Sequence, residues 1–223
     1  MNNNGLQSSP WDEQVFGIPC YAISNPCTET LQLASTQQGH YSVKIDPLAD
    51  KSQLHHYGFY YVDTLIQPYC QRDNFISHPH REVTLHPNVT LDEILSMCDD
   101  NFVHGRFHRD FQISNALADQ RYKQWLSQLH EKGQVIGIQY RQRTAAFIGH
   151  QQGNLLLHAV DKAFQGQGLA KHLWSTAIEQ LFSQGFTVIE SSISATNLAA
   201  LNLYTSLGFR FRKPLDIYHR LTQ

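Results

Sequence analysis

The apolar positions in the second half of the chain switch between two periods. Residues 155–160, Leu-Leu-Leu-His-Ala-Val, form a short apolar run of the kind that fills a buried strand. Soon after it, Leu169, Leu173, Ala177 and Leu181 recur in i,i+4 steps and predict a helix that Gly185 ends. Residues 135–140 and 144–150 read as strands of a hairpin joined by Arg-Gln-Arg, and 187–194 as a further strand. A helix opens near Asn197, with Leu203 and Leu207 at helical spacing and Gly208 where a left-handed residue would close it. Strands at 209–211 and 217–221 follow.

The first half is patterned more weakly. Tyr21, Ala22 and Ile23 make a short strand, 41–45 alternate, and 57–66 are aromatic and β-branched. Residues 67–80 carry Pro, Asp and His and read as a loop. That change of composition places a domain boundary near residue 80. Thr90 with Glu93 is a capping box that opens a helix through about Cys98. After an irregular, charge-rich stretch at 101–110, Ser114 caps a long helix over 114–132, in which Leu117, Arg121, Trp125 and Leu129 share a face. The element order from residue 90 on gives the fold class α/β (α+β). A mixed sheet with helices on both faces is expected in residues 81–223, preceded by a small α/β domain in residues 1–80.

Between the apolar strand and its helix lies Gln165-Gly166-Gln167-Gly168-Leu169-Ala170. Glycines let the backbone approach a ligand closely, and the unpaired N–H groups of a helix start attract an anion. No Gly-Lys-Ser/Thr follows, so this is not a P-loop, and the third glycine of a dinucleotide fingerprint is missing. An ordinary glycine turn is the alternative. The pattern Gln-x-x-Gly-x-Ala after an apolar strand resembles the acetyl-CoA pyrophosphate loop of the GCN5-related N-acetyltransferases, the GNAT superfamily. The segment from Asn197 through Leu203-Tyr204 to Gly208-Phe209 resembles that family's other signature, in the right order.

The resemblance implies a GNAT fold with a mixed, mostly antiparallel sheet and acetyl-CoA as cosubstrate. It places Gln165, Gly166, Gln167, Gly168, Leu169 and Ala170 around the pyrophosphate, with Lys171 and His172 nearby as cations. It places His158, Ala159 and Val160 along pantetheine, with backbone N–H groups as oxyanion-hole candidates. Asn197 would contact CoA, and Tyr204 would protonate the departing thiolate. Read by itself, Tyr204 is a half-buried core aromatic, the commoner role of such a residue.

Three N-terminal pieces resemble the TDP-fucosamine acetyltransferase group: Trp11-Asp12-x-x-x-Phe16-Gly17, Gly58-Phe59-x-x-Val62-Asp63-Thr64 and Gly105-Arg106-Phe107-His108-x-Asp110. The implied reaction is acetylation of the 4-amino group of a dTDP-4-amino-4,6-dideoxyhexose by direct attack. Val15 stands where the group usually has an aromatic, and Gly105 where it commonly has Ser or another residue; both bear on which sugar is used. Glu13, Phe16, Arg106 and His108 are the substrate-binding candidates, and Glu13, His108 and Asp110 the candidate bases. Arg106 suits a diphosphate and Phe107 a sugar or base, but an Arg106–Asp110 ion pair over a core Phe107 reads as well. Two other functions fit: a GNAT enzyme acting on another small amine or a protein amine, and a non-catalytic acyl-CoA-binding module.

Composition narrows the partners. The 223 residues carry a net charge of −2, which offers no basic field for nucleic acid. No apolar stretch nears the ~20 residues of a membrane span. The first ten residues lack the basic and apolar parts of a signal peptide and read as a short disordered lead, so a cytoplasmic protein is expected. Four cysteines without a Cys-x-x-Cys pair read as free thiols. Among 13 histidines, the close pairs His55/His56, His78/His80 and His104/His108 are not completed to a zinc set, and no metal is expected. The expected partner is a small-molecule nucleotide sugar, with a homodimer as one allowed assembly.

Overall fold

A computed structural model describes residues 5–222. In chain order the elements are β1 (Leu6–Ser8), α1 (Pro10–Phe16), β2 (Cys20–Ile23), α2 (Thr28–Thr36), β3 (Gly39–Ile45), α3 (Ser52–His56), β4 (Tyr60–Gln71), β5 (Val83–His86), α4 (Leu91–Leu95), α5 (Asn115–Glu131), β6 (Val135–Tyr140), β7 (Arg143–Gln151), β8 (Asn154–Val160), α6 (Ala170–Ser183), β9 (Val188–Ser191), β10 (Ile193–Ser194), α7 (Leu198–Ser206) and β11 (Arg210–Thr222). The chain forms two compact units. One comprises the residues up to Leu65, Val103–Arg121 and those from Pro214 on; the other comprises Ile66–Phe102 and Tyr122–Lys213. The boundary expected near residue 80 falls inside the second unit. No helix among the described residues is long and apolar enough to cross a membrane.

In the first unit β1 pairs antiparallel with β2, β2 parallel with β3, and β3 antiparallel with β11. Ile23, Leu31, Ala34, Tyr41, Val43, Leu54, Phe59 and Tyr218 form its core. Much of the expected disordered lead is therefore structured: Leu6–Ser8 pair with Tyr21–Ile23, and Pro10 starts a helix where its missing N–H costs nothing. Residues 1–4 of that lead lie outside the described residues.

The second unit holds a sheet of order β4-β9-β8-β7-β6-β5, parallel only between β8 and β9. This is the mixed, mostly antiparallel sheet of the GNAT fold. The α6 stripe of Leu169, Leu173, Ala177 and Leu181 is buried, and with Trp174, Ile178 and Tyr204 it covers one face. Ile94, Met97, Cys98, Leu126 and Leu129 cover the other, against Phe147 and Leu157. The expected loop at 67–80 gives way in part to strand, because Tyr69, Cys70 and Gln71 pair with Glu190, Ile189 and Val188 and override the turn signal of Pro68. The two C-terminal strands are likewise one, β11, which runs through Lys213 (φ 50°) and the exposed Pro214. The β6–β7 hairpin turns on two residues, Arg141 and Gln142, both at positive φ as a primed turn demands.

The capping box forms as its sequence requires. The Glu93 carboxylate accepts the Thr90 backbone N–H at 2.8 Å, and it also bonds the His86 ring and the Thr144 hydroxyl. These bonds, the Thr90 backbone bond foremost, hold its pKa at about 2 against an ordinary 4.5. A depressed folded-state pKa stabilises above the unfolded value and is lost as the pH falls. The stability advantage of the wild type over Glu93→Gln should thus be complete above about pH 4.5 and gone near pH 2. Denaturant midpoints across that range test it.

Candidate active site

The site in the second unit is set by an irregularity in β8. Gly149 pairs with Leu157 but His150 with Leu155, so Leu156 is an extra residue, a bulge that bends the strand. Beyond it the side chains change faces: Leu155 packs in the α6 core, while Leu157 and Ala159 pack in the α5 core. Pairing of β8 with β9 is confined to Asn154↔Glu190 and Leu155↔Ser191. The Asp161 N–H reaches the Ala145 carbonyl at 2.9 Å. By the alternation of an antiparallel ladder, the Ala159 backbone then faces β7, and the N–H and C=O groups of His158 and Val160 face away from it. Of the three expected oxyanion donors, Ala159 is therefore corrected to a ladder residue.

The loop that follows is tied down by side chains. Gln165 donates its amide to the Val160 carbonyl (2.9 Å) and to Asn101 Oδ1 (2.8 Å), and Asn101 donates to the same carbonyl (3.1 Å). Gln167 donates to the Ala163 carbonyl. Both glutamines thus brace the loop through side-chain bonds and stand exposed together with Gly166 and Gly168. Gly166 and Gly168 sit at φ +72°, and a side chain added at either would meet no atom within 4 Å. Leu169 is the N-cap of α6 without a side-chain cap, so the first N–H groups of that helix, at Ala170 and Lys171, lack intrahelical partners. Open space, positive φ and an uncapped helix start together fit a diphosphate. Lys171 is exposed at this end, whereas His172 bonds the His78 carbonyl through Nδ1 at 2.8 Å. Asn101 was missed because nothing in the local pattern marks a residue that far upstream of the loop.

Tyr204 lies on α7, fully buried, with its hydroxyl 3.0 Å from His158 Nε2. Burial pushes the phenol up to about 12, with Ser191 and Trp174 pulling the other way, and burial pushes His158 down to about 4. Both groups are neutral at neutral pH. Asn197 caps α7 through Oδ1, which accepts the Ala200 N–H at 3.0 Å, so its amide nitrogen is the end directed elsewhere.

The first unit gathers most of the acceptor candidates. Phe16 packs 5.5 Å from Phe107 and 5.9 Å from His40, and it lines a cavity with Ile18, His40, Gln112, Ile113 and Leu117. Phe107 is core, with the Arg106 and Arg121 guanidiniums over its ring at 4.8 and 4.5 Å. Glu13 is exposed on α1, away from this buried cluster. His108 bonds Asp119 at 2.9 Å. Asp110 makes no ion pair with Arg106; it accepts from His219 Nδ1 (2.8 Å), the Tyr60 hydroxyl (2.9 Å) and the Gln112 N–H (2.9 Å). Burial opposes its ionisation, but the His219 hydrogen bond and the close approach of His40 Nε2, at 3.5 Å, outweigh that and hold the carboxyl well below the usual range. Such a carboxylate is a poor base. Asp12 of the first motif is buried and bonds Arg121 Nε (2.8 Å) and Ser9 (2.7 Å). Arg121→Ala leaves that carboxylate uncompensated and should cost about 3 kcal/mol or more in urea unfolding, with a sub-additive Asp12→Ala/Arg121→Ala double mutant.

Residues 91–209 match the acetyltransferase (GNAT) family, and the chain belongs to it. The family takes its acetyl group from acetyl-CoA. The chain is 34% identical to mycothiol acetyltransferase of Renibacterium salmoninarum over 112 residues, 46% of this chain and 33% of that one. It is 25% identical to the spore coat polysaccharide biosynthesis protein SpsD of Bacillus subtilis over 135 residues, 57% of this chain and 46% of that one. It thus spans between a third and a half of the length of these relatives. Its fold matches a GCN5-related N-acetyltransferase from Sphaerobacter thermophilus with a TM-score of 0.60 at 12% identity, covering 82% of this chain and 60% of the other.

Proposed function

We propose that this protein transfers acetyl from acetyl-CoA to the amino group of a nucleotide-linked amino sugar of the dTDP-4-amino-4,6-dideoxyhexose type, by direct attack, in the cytoplasm. The observation that carries the donor half is the open glycine loop at the uncapped start of α6, beside a strand that parts from β9. Main-chain N–H groups of Gly166 to Lys171 hold the diphosphate, with the Lys171 ammonium alongside. The outward-facing N–H groups of His158 and Val160 hold pantetheine and receive the charge that develops on the thioester oxygen. A donor of this kind contributes roughly 3–4 kcal/mol.

Tyr204 delivers the proton to the departing thiolate. Against a thiol pKa near 8.5, a phenol at about 12 makes full transfer uphill by roughly 5 kcal/mol. The residues around it lower that cost. In the tautomer that carries a proton on Nε2, His158 donates to the phenol oxygen, stabilises it as it gives up its proton, and leaves the Tyr204 O–H free to turn to sulfur. Asn197 holds the start of α7, and with it Tyr204, in register.

The acceptor half is supported by the three N-terminal motifs and by similarity to a protein named for polysaccharide biosynthesis. The 34% identity to a mycothiol acetyltransferase favours a second reading, a different small amine acceptor. Thiol release from acetyl-CoA, read with Ellman's reagent, separates the two. Rapid release with dTDP-4-amino-4,6-dideoxygalactose is expected. Release only with other amines discards the nucleotide sugar, and no release with acetyl-CoA still binding discards the enzymatic reading in favour of an acyl-CoA-binding module.

A further inference from the structure

His40, Asp110 and His219 converge in the first unit with no role in the acyl transfer just described. His40 lies on β3 and His219 on β11. Leu221 pairs with His40 and His219 with Ser42, so the two histidines are diagonal neighbours on one face of a paired ladder. Their rings stand edge to face with centroids 4.6 Å apart. Asp110 arrives from the Val103–Arg121 segment. The three side chains are 4%, 1% and 0% exposed in chain order. One donor atom from each lies within 4.8 Å of the others, and Asp110 Oδ2 is 2.8 Å from His219 and 3.5 Å from His40.

We propose that His40, Asp110 and His219 form a binding site for one divalent transition-metal ion, zinc foremost. Two imidazoles and one carboxylate are a donor set suited to zinc and its neighbours. Bonds of about 2.0–2.1 Å in a tetrahedron put donor atoms roughly 3.3 Å apart, within the spread of separations seen here. Two further observations point to an ion rather than to a polar network complete in itself. The buried Nε2 atom of His40, 3.5 Å from Asp110 Oδ2, lacks a hydrogen-bond partner, although buried polar atoms are rarely left so. Asp110 is also divided as a metal ligand would be: Tyr60 and the Gln112 N–H occupy Oδ1, and Oδ2 faces only the imidazoles. Hydrogen bonds to the non-ligating oxygen orient a carboxylate toward its metal. His40 and Gln112 also line the cavity beside Phe16, so the cluster borders a cavity. The pairs singled out in the sequence, His55/His56, His78/His80 and His104/His108, take no part.

The test uses the full chain, stripped with a chelator and titrated with Zn(II) against a chromophoric competitor, then with Co(II) for its visible spectrum. The expected result is about one ion per chain at low-micromolar affinity or tighter, with the intense bands of a tetrahedral Co(II) site. His40→Gln and His219→Gln should each weaken binding at least 100-fold, and His56→Gln should leave it unchanged. Absence of stoichiometric zinc binding overturns the proposal, as does binding that survives both ligand substitutions. Should His219→Gln fail to fold, as circular dichroism would report, His40→Gln and the wild-type stoichiometry decide the matter.

Discussion

Gly168→Glu is expected to weaken acetyl-CoA binding at least 100-fold while the protein stays folded. At φ +72° any side chain at this position strains the backbone by roughly 1–2 kcal/mol. That cost is small enough for the domain to bear. The added side chain meets no protein atom within 4 Å, so it does not disrupt the core; it occupies the space proposed for the diphosphate and brings a negative charge there. Calorimetric titration with acetyl-CoA, beside a thermal melt, reads both effects. Gly168→Ala carries the same strain without the charge or the bulk and should lose far less affinity. If the glutamate variant still binds as the wild type does, the grip on the donor lies outside this loop.

Tyr204→Phe is expected to lower kcat tenfold or more with acetyl-CoA affinity changed by no more than about twofold. The substitution removes one oxygen from a fully buried ring and leaves its packing against Phe209 and Trp174 intact. It also leaves His158 Nε2 without its partner at 3.0 Å, for a stability loss of about 1–2 kcal/mol. A fall in kcat without a matching rise in KM distinguishes proton delivery from a packing role. Turnover equal to that of the wild type would reduce Tyr204 to a core residue.

The parts of this fold legible in the sequence are those written locally. The apolar run of β8, the glycine turn and the α6 stripe lie within one short stretch of chain, and periodicity alone marks them. The capping box at Thr90 and Glu93 is equally local. What escaped depends on pairing between distant residues. Pro68 signals a break, yet β4 continues because β9 pairs with the residues after it. Asn101 anchors the loop from far upstream, and no period announces it. Arg106 and Asp110 have the spacing of a helical ion pair, but the stretch is not a helix and Asp110 turns to Tyr60 and His219 instead. The histidine pairs close in sequence are not those that converge: His40 and His219 meet through the ladder between β3 and β11, and Asp110 joins them from the Val103–Arg121 segment.

That ladder also sets an order of events when the protein is made. β3 emerges from the ribosome well ahead of β11, its partner on one side, which follows all the other described elements; Tyr41 and Val43 lie on β3. A nascent chain closes this loop late and at a high entropic cost, so the exposed edge of β3 persists through most of synthesis. Such an edge is a template for pairing with other chains. The second unit has no such wait for its β5–β9 sheet, which is complete once β9 has emerged. Co-translational folding should therefore begin in the second unit and reach the first only when β11 has emerged to cover the β3 edge.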